Sequence, residues 1–536
     1  MAMSGGVRGP WVALAALCAC FFMVMLDSTI VTVAIPAMLR GLDANLNQVI
    51  WVNSVYLLAN TVPLLLTGRL GDRFGPKRVL VVGLVLFLAA SLWSGLSTSA
   101  ESLIAARAVQ GLGAAAMTPQ TLSFITRLFP PERRGAPIAV WGAVAGVATI
   151  TGPVVGGLLV EHIGWEWIFF LNLPIGVAGL VLGLVLLPDW RPEGQPTFDI
   201  TGAALASGGL ALLVFGLQNG QHYHWGTIVG PIGVLPVIGV GLVLLGAFTV
   251  YQRRARDPLL PRGLFANPVF GWANLTHSAL GFATTGMFLP LVIYVQSVLG
   301  LDPVASSLLC APMAGAAALA AWLASRVRLA GRTLIMSGLG GLAAGTVVLA
   351  ALSEPDTDPL VLVPGLVLAG LGIGLVFSPL TASATLGMPP HLVGAASGVF
   401  NTSRQVGGVL GSATTGLLLQ VGLGFSIPGA ARQYAKFLPP RYADEFVDRI
   451  TAAAQTAGQF GGEGPQVPSD WSPTVAAKVR ELATDAFHLG FTNAAKATLV
   501  LPVVVLVLGM VCAAGIRLPP TGNAKKSGLS KERVGP

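Results

Sequence analysis

The amino-acid sequence predicts an all-α integral membrane protein that crosses the bilayer fourteen times. Only 10% of its residues are charged and 54% are hydrophobic, whereas a soluble domain carries about 25% charged residues. The mean hydropathy is +0.75. Apolar runs of about 20 residues recur along the chain, and each is long enough to cross a hydrocarbon core about 30 Å thick. These observations exclude a soluble globular domain.

The apolar runs define the predicted spans, which alternate with short polar loops along most of the chain. The longest connection, residues 420–493, holds polar and partly amphipathic stretches. We expect this segment to form short helices that lie on the outer surface of the membrane. The spans are expected near residues 11–36, 49–68, 79–98, 102–126, 138–160, 168–187, 200–218, 228–250, 269–295, 304–325, 333–352, 360–380, 394–419 and 494–516.

Basic residues accumulate on one side of the predicted spans, which indicates that this side is cytoplasmic. Loops on the opposite side carry Arg40 and several acidic residues. Both termini are therefore expected in the cytoplasm, in a multi-pass protein of the bacterial cytoplasmic (inner) membrane. The net charge of +8 follows from this bias and does not predict nucleic-acid binding. The basic residues of the cytoplasmic side are Arg69, Arg73, Lys77, Arg78, Arg127, Arg133, Arg134, Arg253, Arg254, Arg256, Arg262, Arg326, Arg328, Arg332, Arg517, Lys525, Lys526, Lys531 and Arg533.

An internal repeat divides the chain into two halves of like orientation. Residues 130–136 match residues 389–395 at an offset of 259, and the same offset aligns Gly152 with Gly411. Parallel repeats occur in transporters that bind their substrate between the two halves. We predict an N-terminal six-helix bundle at 1–190, two extra central spans with a cytoplasmic linker at 191–268, and a C-terminal six-helix bundle at 269–536 with an extracellular loop at 420–493.

The sequence offers few side chains suited to covalent, redox or metal chemistry. Its four cysteines lie inside apolar spans, and its six histidines form no metal-ligand pattern. No Gly-rich nucleotide-binding loop with the required Lys and Ser/Thr is present, which disfavours an ATP-driven pump. We therefore predict a protein that is not an enzyme and that needs no metal or other cofactor.

A glycine-rich, charged motif, GRLGDRFGPKR at residues 68–78, joins the second and third predicted spans. Its glycines permit a tight turn, and Asp72 can pair with a basic residue or a helix N-terminus. The motif resembles the loop signature of the major facilitator superfamily, although Pro76 stands where a basic residue is usual. The resemblance implies the major facilitator fold and a cytoplasmic gate loop that includes Gly68, Gly71, Asp72, Arg73, Gly75, Lys77 and Arg78.

The first predicted span contains a carboxylate, Asp27, in the segment LDSTIVTVAIP. An aspartate inside a span costs about 2.5–3.5 kcal/mol on insertion scales, so it is expected to be functional and to have a partner. Arg107 in the fourth span lies at a similar depth. The segment resembles the first-span signature of the fourteen-span drug:proton antiporters, often called the EmrB/QacA type, although Thr32 replaces the usual Asn. This resemblance implies proton coupling by Asp27 and Arg107; a purely structural ion pair is the alternative.

The fifth predicted span carries the sequence GPVVGG at residues 152–157, which resembles the antiporter motif of exporters in this superfamily. Its members Gly152, Pro153, Gly156 and Gly157 can loosen the helix and allow close packing, and packing alone is the alternative interpretation. Other polar or aromatic side chains are candidates for lining a central cavity, although interfacial aromatic residues and a buried histidine would explain some of them. These candidates are Trp51, Tyr56, Gln110, Asn172, His277 and Arg404.

These motifs predict a proton-coupled antiporter that exports amphipathic drugs or antibiotics and confers multidrug resistance. Its expected partners are a lipophilic small-molecule substrate, protons and the lipid bilayer, and we expect a monomer. A dedicated exporter of one endogenous metabolite or antibiotic is the alternative interpretation. A membrane-embedded enzyme is a weaker one, because the sequence offers no His/Asp, Ser/His or metal constellation for it.

Overall fold

The computed structural model describes residues 9–42, 44, 46–130, 133–190, 199–220, 223, 225–255, 258–265, 267–326, 330–385, 388, 392–456 and 473–516. Within these residues the fold is helical apart from one small hairpin. Long apolar segments form helices here because lipid cannot satisfy backbone N–H and C=O groups, and a helix satisfies them internally.

The N-terminal half consists of eight helices that correspond to the first six predicted spans. Pro63 separates α2 from α3, so the second span is made of two helices. The sixth span is similarly divided, into α7 and α8. The helices are α1 (Pro10–Gly41), α2 (Leu46–Thr61), α3 (Leu64–Phe74), α4 (Pro76–Gly95), α5 (Ala100–Leu128), α6 (Gly135–His162), α7 (Trp167–Phe170) and α8 (Asn172–Leu186).

Two helices, α9 (Ile200–Asn219) and α10 (Val234–Arg254), stand where the extra central spans are expected. They pack against each other. A two-stranded antiparallel hairpin, β1 (Thr227–Val229) with β2 (Ile232–Gly233), lies between them. Only α9 of this pair makes substantial contact with the two halves, through α2 and α15, so the pair lies at the periphery.

The C-terminal half is built from the remaining eight helices. Short 3-10 turns at Arg262–Leu264 and Pro359–Leu362 precede α11 and α14. The helices are α11 (Pro268–Ser297), α12 (Pro303–Arg326), α13 (Gly331–Leu352), α14 (Val363–Thr385), α15 (Val393–Ala435), α16 (Pro440–Thr456), α17 (Pro473–Thr498) and α18 (Val500–Ala514).

Eleven helical segments of the described residues are long and apolar enough to cross a membrane. The other three expected spans coincide with α2 joined to α3, with α5 and with α6. Of these helices, α5 carries the polar residues Arg107, Gln110 and Gln120. The helices are consistent with fourteen crossings, and that count stays a prediction.

The segment 420–493 contains helices where short ones are expected, α16 and the first part of α17, but its first residues belong to α15 instead of a separate helix. Helix α15 has 43 residues and is therefore about 65 Å long, roughly twice the thickness of a hydrocarbon core. Its buried face continues beyond the span through Leu423, Ile427 and Ala431, and α17 packs along it. Because this apolar stripe keeps its helical spacing, the helix does not end at the membrane surface.

The two halves meet mainly along two helix pairs, α3 with α15 and α6 with α12, and α6 also contacts α14 and α5 contacts α15. Asp72 lies at one end of the molecule, which we call the Asp72 end, together with the start of α15. The extension formed by the last part of α15, by α16 and by the first part of α17 lies at the opposite end. These two interfaces carry the motifs at residues 68–78 and 152–157.

Candidate functional site

Asp27 on α1 and Arg107 on α5 form an ion pair in the interior of the N-terminal half. The distance from Arg107 Nη1 to Asp27 Oδ2 is 2.5 Å, and both side chains are completely buried. A buried carboxylate without a cation would be costly, and the positive charge of Arg107 compensates it. The two residues whose similar depth the sequence predicts are therefore in direct contact.

The second oxygen of the Asp27 carboxylate is held by two side-chain amides. Gln110 Nε2 donates to Asp27 Oδ1 at 2.8 Å, and Asn172 Nδ2 donates to the same oxygen at 2.9 Å. Ser91 Oγ accepts from both amides and donates to the Phe169 carbonyl. Hydrogen bonds to a charged acceptor contribute about 1.5–3 kcal/mol each, so these contacts hold the Asp27 side chain firmly in place.

The Arg107 guanidinium lies over the Tyr56 ring, 3.9 Å from its centroid. Its Nη1 also donates to Gln110 Oε1 at 2.8 Å, whereas Nη2 is buried without a hydrogen-bond partner among the described residues. The Tyr56 hydroxyl donates to the Val24 carbonyl at 3.2 Å, which fixes the ring beneath the cation. Cation–π contact in a desolvated site is worth about 2 kcal/mol.

Helices α1, α2, α4, α5 and α8 thus enclose one carboxylate and one guanidinium. Tyr56, Gln110 and Asn172 were expected to line a cavity; in this conformation they are buried and enclose the ion pair instead. The physical reason is that their polar atoms satisfy Asp27 and Arg107, which would otherwise be buried without partners. Chemically, this compartment can exchange one proton at Asp27, because Arg107 stays charged.

Asp72 connects the two halves at the Asp72 end. Its Oδ1 accepts from the Gly394 N–H at 2.9 Å and its Oδ2 from the Ala395 N–H at 2.7 Å. These amides belong to the first turn of α15, where N–H groups lack intrahelical partners and the helix dipole favours a negative charge. Arg127 Nη2 lies 3.6 Å from Asp72 Oδ1. A carboxylate of the N-terminal half therefore caps a helix of the C-terminal half.

The neighbouring glycines of the gate loop allow this close approach. A Cβ at Gly68 would lie 2.6 Å from the Gly394 carbonyl oxygen, and one at Gly71 would overlap the Gln120 side chain. Gly75 has φ +92°, a left-handed conformation that favours glycine, and it turns the chain from α3 into α4. The motif is thus fitted to a tight contact with α15.

The basic residues of the gate loop occupy three different environments. Lys77 Nζ donates to the Leu184 and Leu187 carbonyls, both at 2.7 Å, at the C-terminal end of α8. Arg73 lies over the Phe74 ring, and Arg78 is exposed. Lys77 therefore fastens the loop within its own half, whereas Asp72 fastens it to the other half.

We predict that Asp72→Asn lowers the export rate about 10-fold and leaves substrate affinity nearly unchanged. The amide keeps one acceptor oxygen for two N–H donors and loses the charge, a change worth about 1–3 kcal/mol, which shifts the balance between the open and closed states of this end. Initial export rates and equilibrium binding should be measured beside Glu161→Gln, an exposed control on α6. A normal rate with weakened binding would move Asp72 into the substrate site.

The glycines of the motif at residues 152–157 place α6 between α1 and the other half. A Cβ at Gly152 would overlap Thr29 Oγ1, and one at Gly156 would lie 2.7 Å from Ile30 Cγ1. On the other face, a Cβ at Gly157 would lie 2.9 Å from Val304 Cγ2 on α12. Thr29 is two residues from Asp27, so α6 contacts both the ion-pair segment and the C-terminal half. Helix α6 continues through position 153 without interruption.

We predict that Gly152→Ala lowers both thermal stability and transport, by about 1–3 kcal/mol in unfolding free energy, because the added methyl group has no space beside Thr29. Gly239→Ala is the matched control, since a Cβ there meets no atom within 4 Å. Thermal unfolding of the two purified variants checks this prediction. Equal midpoints for both would show that α6 and α1 are less closely packed than in this structure.

The remaining cavity candidates occupy different places. The Trp51 ring packs against Phe215 of α9, with centroids 5.5 Å apart, so it contacts an extra span. His277 on α11 is buried, and its Nδ1 lies 3.0 Å from the Phe400 carbonyl oxygen. Because a carbonyl only accepts, Nδ1 carries the proton and Nε2 is an acceptor. Arg404 on α15 is partly buried.

An aromatic row crosses from one half to the other. The centroid distances along it are 4.4 Å from Phe21 to Trp141, 5.5 Å from Trp141 to Phe377, 6.1 Å from Phe377 to His277 and 3.8 Å from His277 to Phe400. Of these five residues, only His277 is a candidate for cavity lining on the sequence alone. The others stand on four different helices, and nothing in their spacing along the chain indicates that they meet.

Comparison with known proteins identifies the family to which this chain is similar. The Major Facilitator Superfamily matches residues 17–412. An uncharacterised MFS-type transporter of Mycobacterium tuberculosis is 44% identical over 79% of this chain and 72% of its own length. The tetracenomycin C resistance and export protein of Streptomyces glaucescens is 34% identical over 94% of this chain and 92% of its own length.

A solved structure supports the same assignment at the level of the fold. The human organic anion transporter MFSD10 superimposes with a TM-score of 0.59 at 14% identity, covering 93% of this chain and all of its own. At this identity the likeness concerns the fold alone. Two helical halves joined at α3–α15 and α6–α12, the matched family and the similar relatives agree: the chain is a multi-pass membrane transporter that belongs to the major facilitator superfamily.

Proposed function

We propose that this transporter exports amphipathic drugs or antibiotics from a bacterial cell in exchange for protons. The observation that carries the proposal is the Asp27–Arg107 pair. Asp27 is the single carboxylate within the fourteen predicted spans, and it is buried among one cation and two amide donors. An ionisable residue inside the membrane is a functional residue by default, and a carboxylate is a group that can take up and release a proton.

Export as the direction rests on the similar relative whose name is tetracenomycin C resistance and export protein. The close fit of Gly152 and Gly156 against α1 agrees with it, because the motif at residues 152–157 resembles that of exporters. We place the Asp72 end in the cytoplasm, on the basic residues of its loops. In that orientation the Asp72 contact closes the cytoplasmic side of the transporter.

The geometry suggests how a proton could drive the change of state. When Asp27 takes a proton, Arg107 loses the charge that it faces at 2.5 Å, and the pair separates. Helix α1 transmits this change to α6 through the contact of Gly152 with Thr29, and α6 transmits it to α12 through Gly157 and Val304. The proton and the substrate need only bias the same equilibrium between two conformations for their transport to be coupled.

The energy of one proton is adequate for this task. A driving force of about 150 mV supplies about 3.5 kcal/mol for each proton, and this sustains roughly a 300-fold concentration gradient of substrate. A cell that keeps its internal drug concentration lower by such a factor is resistant. No ATP-binding element is needed.

Transport into everted membrane vesicles tests the proposal. A panel of lipophilic cations and antibiotics, including tetracenomycin C, should accumulate in vesicles that carry the protein when a pH gradient is imposed, and a protonophore should abolish this accumulation. Accumulation of one compound alone would favour the dedicated exporter of a single metabolite. Accumulation that needs ATP, or none for any compound, would refute the proposal.

A further inference from the structure

Three basic residues lie inside the fourteen predicted spans, and two of them have an acidic partner. Arg107 pairs with Asp27, and Lys496 pairs with Glu354 at 2.6 Å. Arg404 makes no ion pair and no hydrogen bond with any residue that the structure describes, and part of its surface is accessible. Since Asp27 is the one carboxylate in these spans, the interior carries an excess positive charge at Arg404.

The position of Arg404 relates this charge to the aromatic row. Helices α11 and α15 are in close contact there, because a Cβ at Gly281 would overlap the Arg404 carbonyl oxygen. One turn earlier on the same two helices, His277 stacks on Phe400 with ring centroids 3.8 Å apart. Arg404 therefore stands one helical turn beyond the His277 end of the row, farther from the Asp72 end.

The aromatic row itself contains two buried polar atoms that lack partners in the described residues. These are Trp141 Nε1, a donor, and His277 Nε2, an acceptor. Trp141 and His277 both contact Phe377, and they belong to different halves of the protein. Buried polar atoms without partners are rare and require an explanation, such as a ligand of another state. The row also bridges the halves, so it must open when they separate.

We propose that Arg404 and the aromatic row together form the subsite that recognises a planar aromatic substrate bearing an acidic group. The proposal rests on the export function proposed above and specifies its substrate class. A carboxylate or phenolate of the substrate pairs with the Arg404 guanidinium, whose planar fork suits such oxygen pairs. The ring system stacks on the aromatic row, where Trp141 Nε1 and His277 Nε2 bond a carbonyl and a hydroxyl of the substrate as the halves separate.

Binding of two matched probes to the purified protein in nanodiscs of neutral lipid tests this assignment. Anthracene-2-carboxylate and anthracene-2-carboxamide share one ring system and differ in charge, and their fluorescence reports binding. We expect the wild type to bind the carboxylate about 10-fold more tightly than the amide, as a charge-assisted hydrogen bond implies. Arg404→Gln should remove this preference and leave the affinity for the amide unchanged, whereas Arg404→Lys should keep part of it.

Two further variants test the parts of the proposal separately. One removes a ring from the aromatic row, and the other removes a cation outside the proposed subsite. Phe377→Ala should weaken both probes equally, about 3-fold or more, because it removes a ring from the aromatic row. Arg326→Gln changes an exposed cation that lies over Trp322 at the end of α12, 4.0 Å from the ring centroid, and it should change neither affinity. Binding of the amide to Arg404→Gln shows that the variant is folded.

Several results would overturn the assignment. Equal affinities of the two probes for the wild type, equal losses of both with Arg404→Gln, or the same loss with Arg326→Gln would each refute the subsite. If Arg404→Gln abolished proton-driven export of the uncharged probe, Arg404 would belong to the coupling machinery instead. Export of other compounds without a preference for the acid would refute this inference alone, and the absence of all binding and export would refute the proposed function with it.

Discussion

Asp27→Asn should abolish export driven by a pH gradient and leave substrate exchange across the membrane intact. Asparagine has nearly the same shape as aspartate, but it cannot gain or lose a proton, so the transporter can no longer be coupled to the gradient. Exchange of labelled for unlabelled substrate needs only the change of conformation. The variant should therefore equilibrate its substrate without concentrating it.

The contacts of Asp27 set how stable this variant will be. An asparagine oxygen in the place of Oδ1 can still accept from Gln110 and Asn172. Its amide would then face Arg107, which is left without an anionic partner. Removal of one member of a buried ion pair costs about 3–5 kcal/mol, so we expect a lower thermal midpoint but an inserted, folded protein.

Proteoliposomes distinguish coupling from folding in this variant. The wild type, Asp27→Asn and the exposed control Glu161→Gln should all catalyse exchange, and only Asp27→Asn should fail to accumulate substrate when a pH gradient is imposed. Wild-type accumulation by Asp27→Asn would exclude Asp27 as the proton carrier and leave the ion pair a structural one.

The sequence predicts the fold class and the family, and both are confirmed by the matched family and the similar transporters. The fold class is predictable because membrane insertion restricts each span to a helix. The family is predictable because the motif at residues 68–78 combines glycines and charged residues in an order that few other loops share. The contact between Asp27 and Arg107 also follows from a local quantity, their depth along two helices. Their part in proton coupling stays a prediction.

Contacts that depend on the register of distant helices could not be predicted. The sequence predicts that Asp72 pairs with a basic residue or a helix N-terminus, but not that this terminus is the first turn of α15, more than 300 residues away. In the sequence, Ser91 is an ordinary small residue of a span; only the fold shows that it accepts hydrogen bonds from Gln110 and Asn172. The extension of α15 past the membrane was missed because a polar segment with helical spacing also fits a helix lying on the surface.

Arg107→Ala should also abolish export driven by a pH gradient, because it affects both the charge and the shape of the compartment. The carboxyl of Asp27 would lose the cation at 2.5 Å. An unpaired buried carboxylate is so unfavourable that the group should hold its proton instead. The transporter would then remain in the proton-loaded form. Arg107→Lys should rescue only part of the activity, because lysine keeps the charge but not the planar stacking over Tyr56.

A double variant distinguishes the contribution of the Asp27–Arg107 ion pair to stability from its contribution to export. In Asp27→Asn/Arg107→Gln both charges are removed together, and a neutral pair in place of a buried ion pair is often no less stable. Its thermal midpoint should therefore exceed that of Arg107→Ala, while export driven by a pH gradient stays absent. Measured beside the single variants Asp27→Asn and Arg107→Gln, the non-additive part of the change in stability gives the coupling energy of the pair.

The pH dependence of substrate binding decides the role of Arg107. In the wild type, substrate should compete with the proton on Asp27, so binding should weaken as the pH falls. In Arg107→Ala this pH dependence should differ from that of the wild type, because the cation that faces Asp27 is absent. If the pH dependence is unchanged and export persists, Arg107 is structural only. The proton pathway would then have to include other interior groups, and His277 and Arg404 would be the next to substitute.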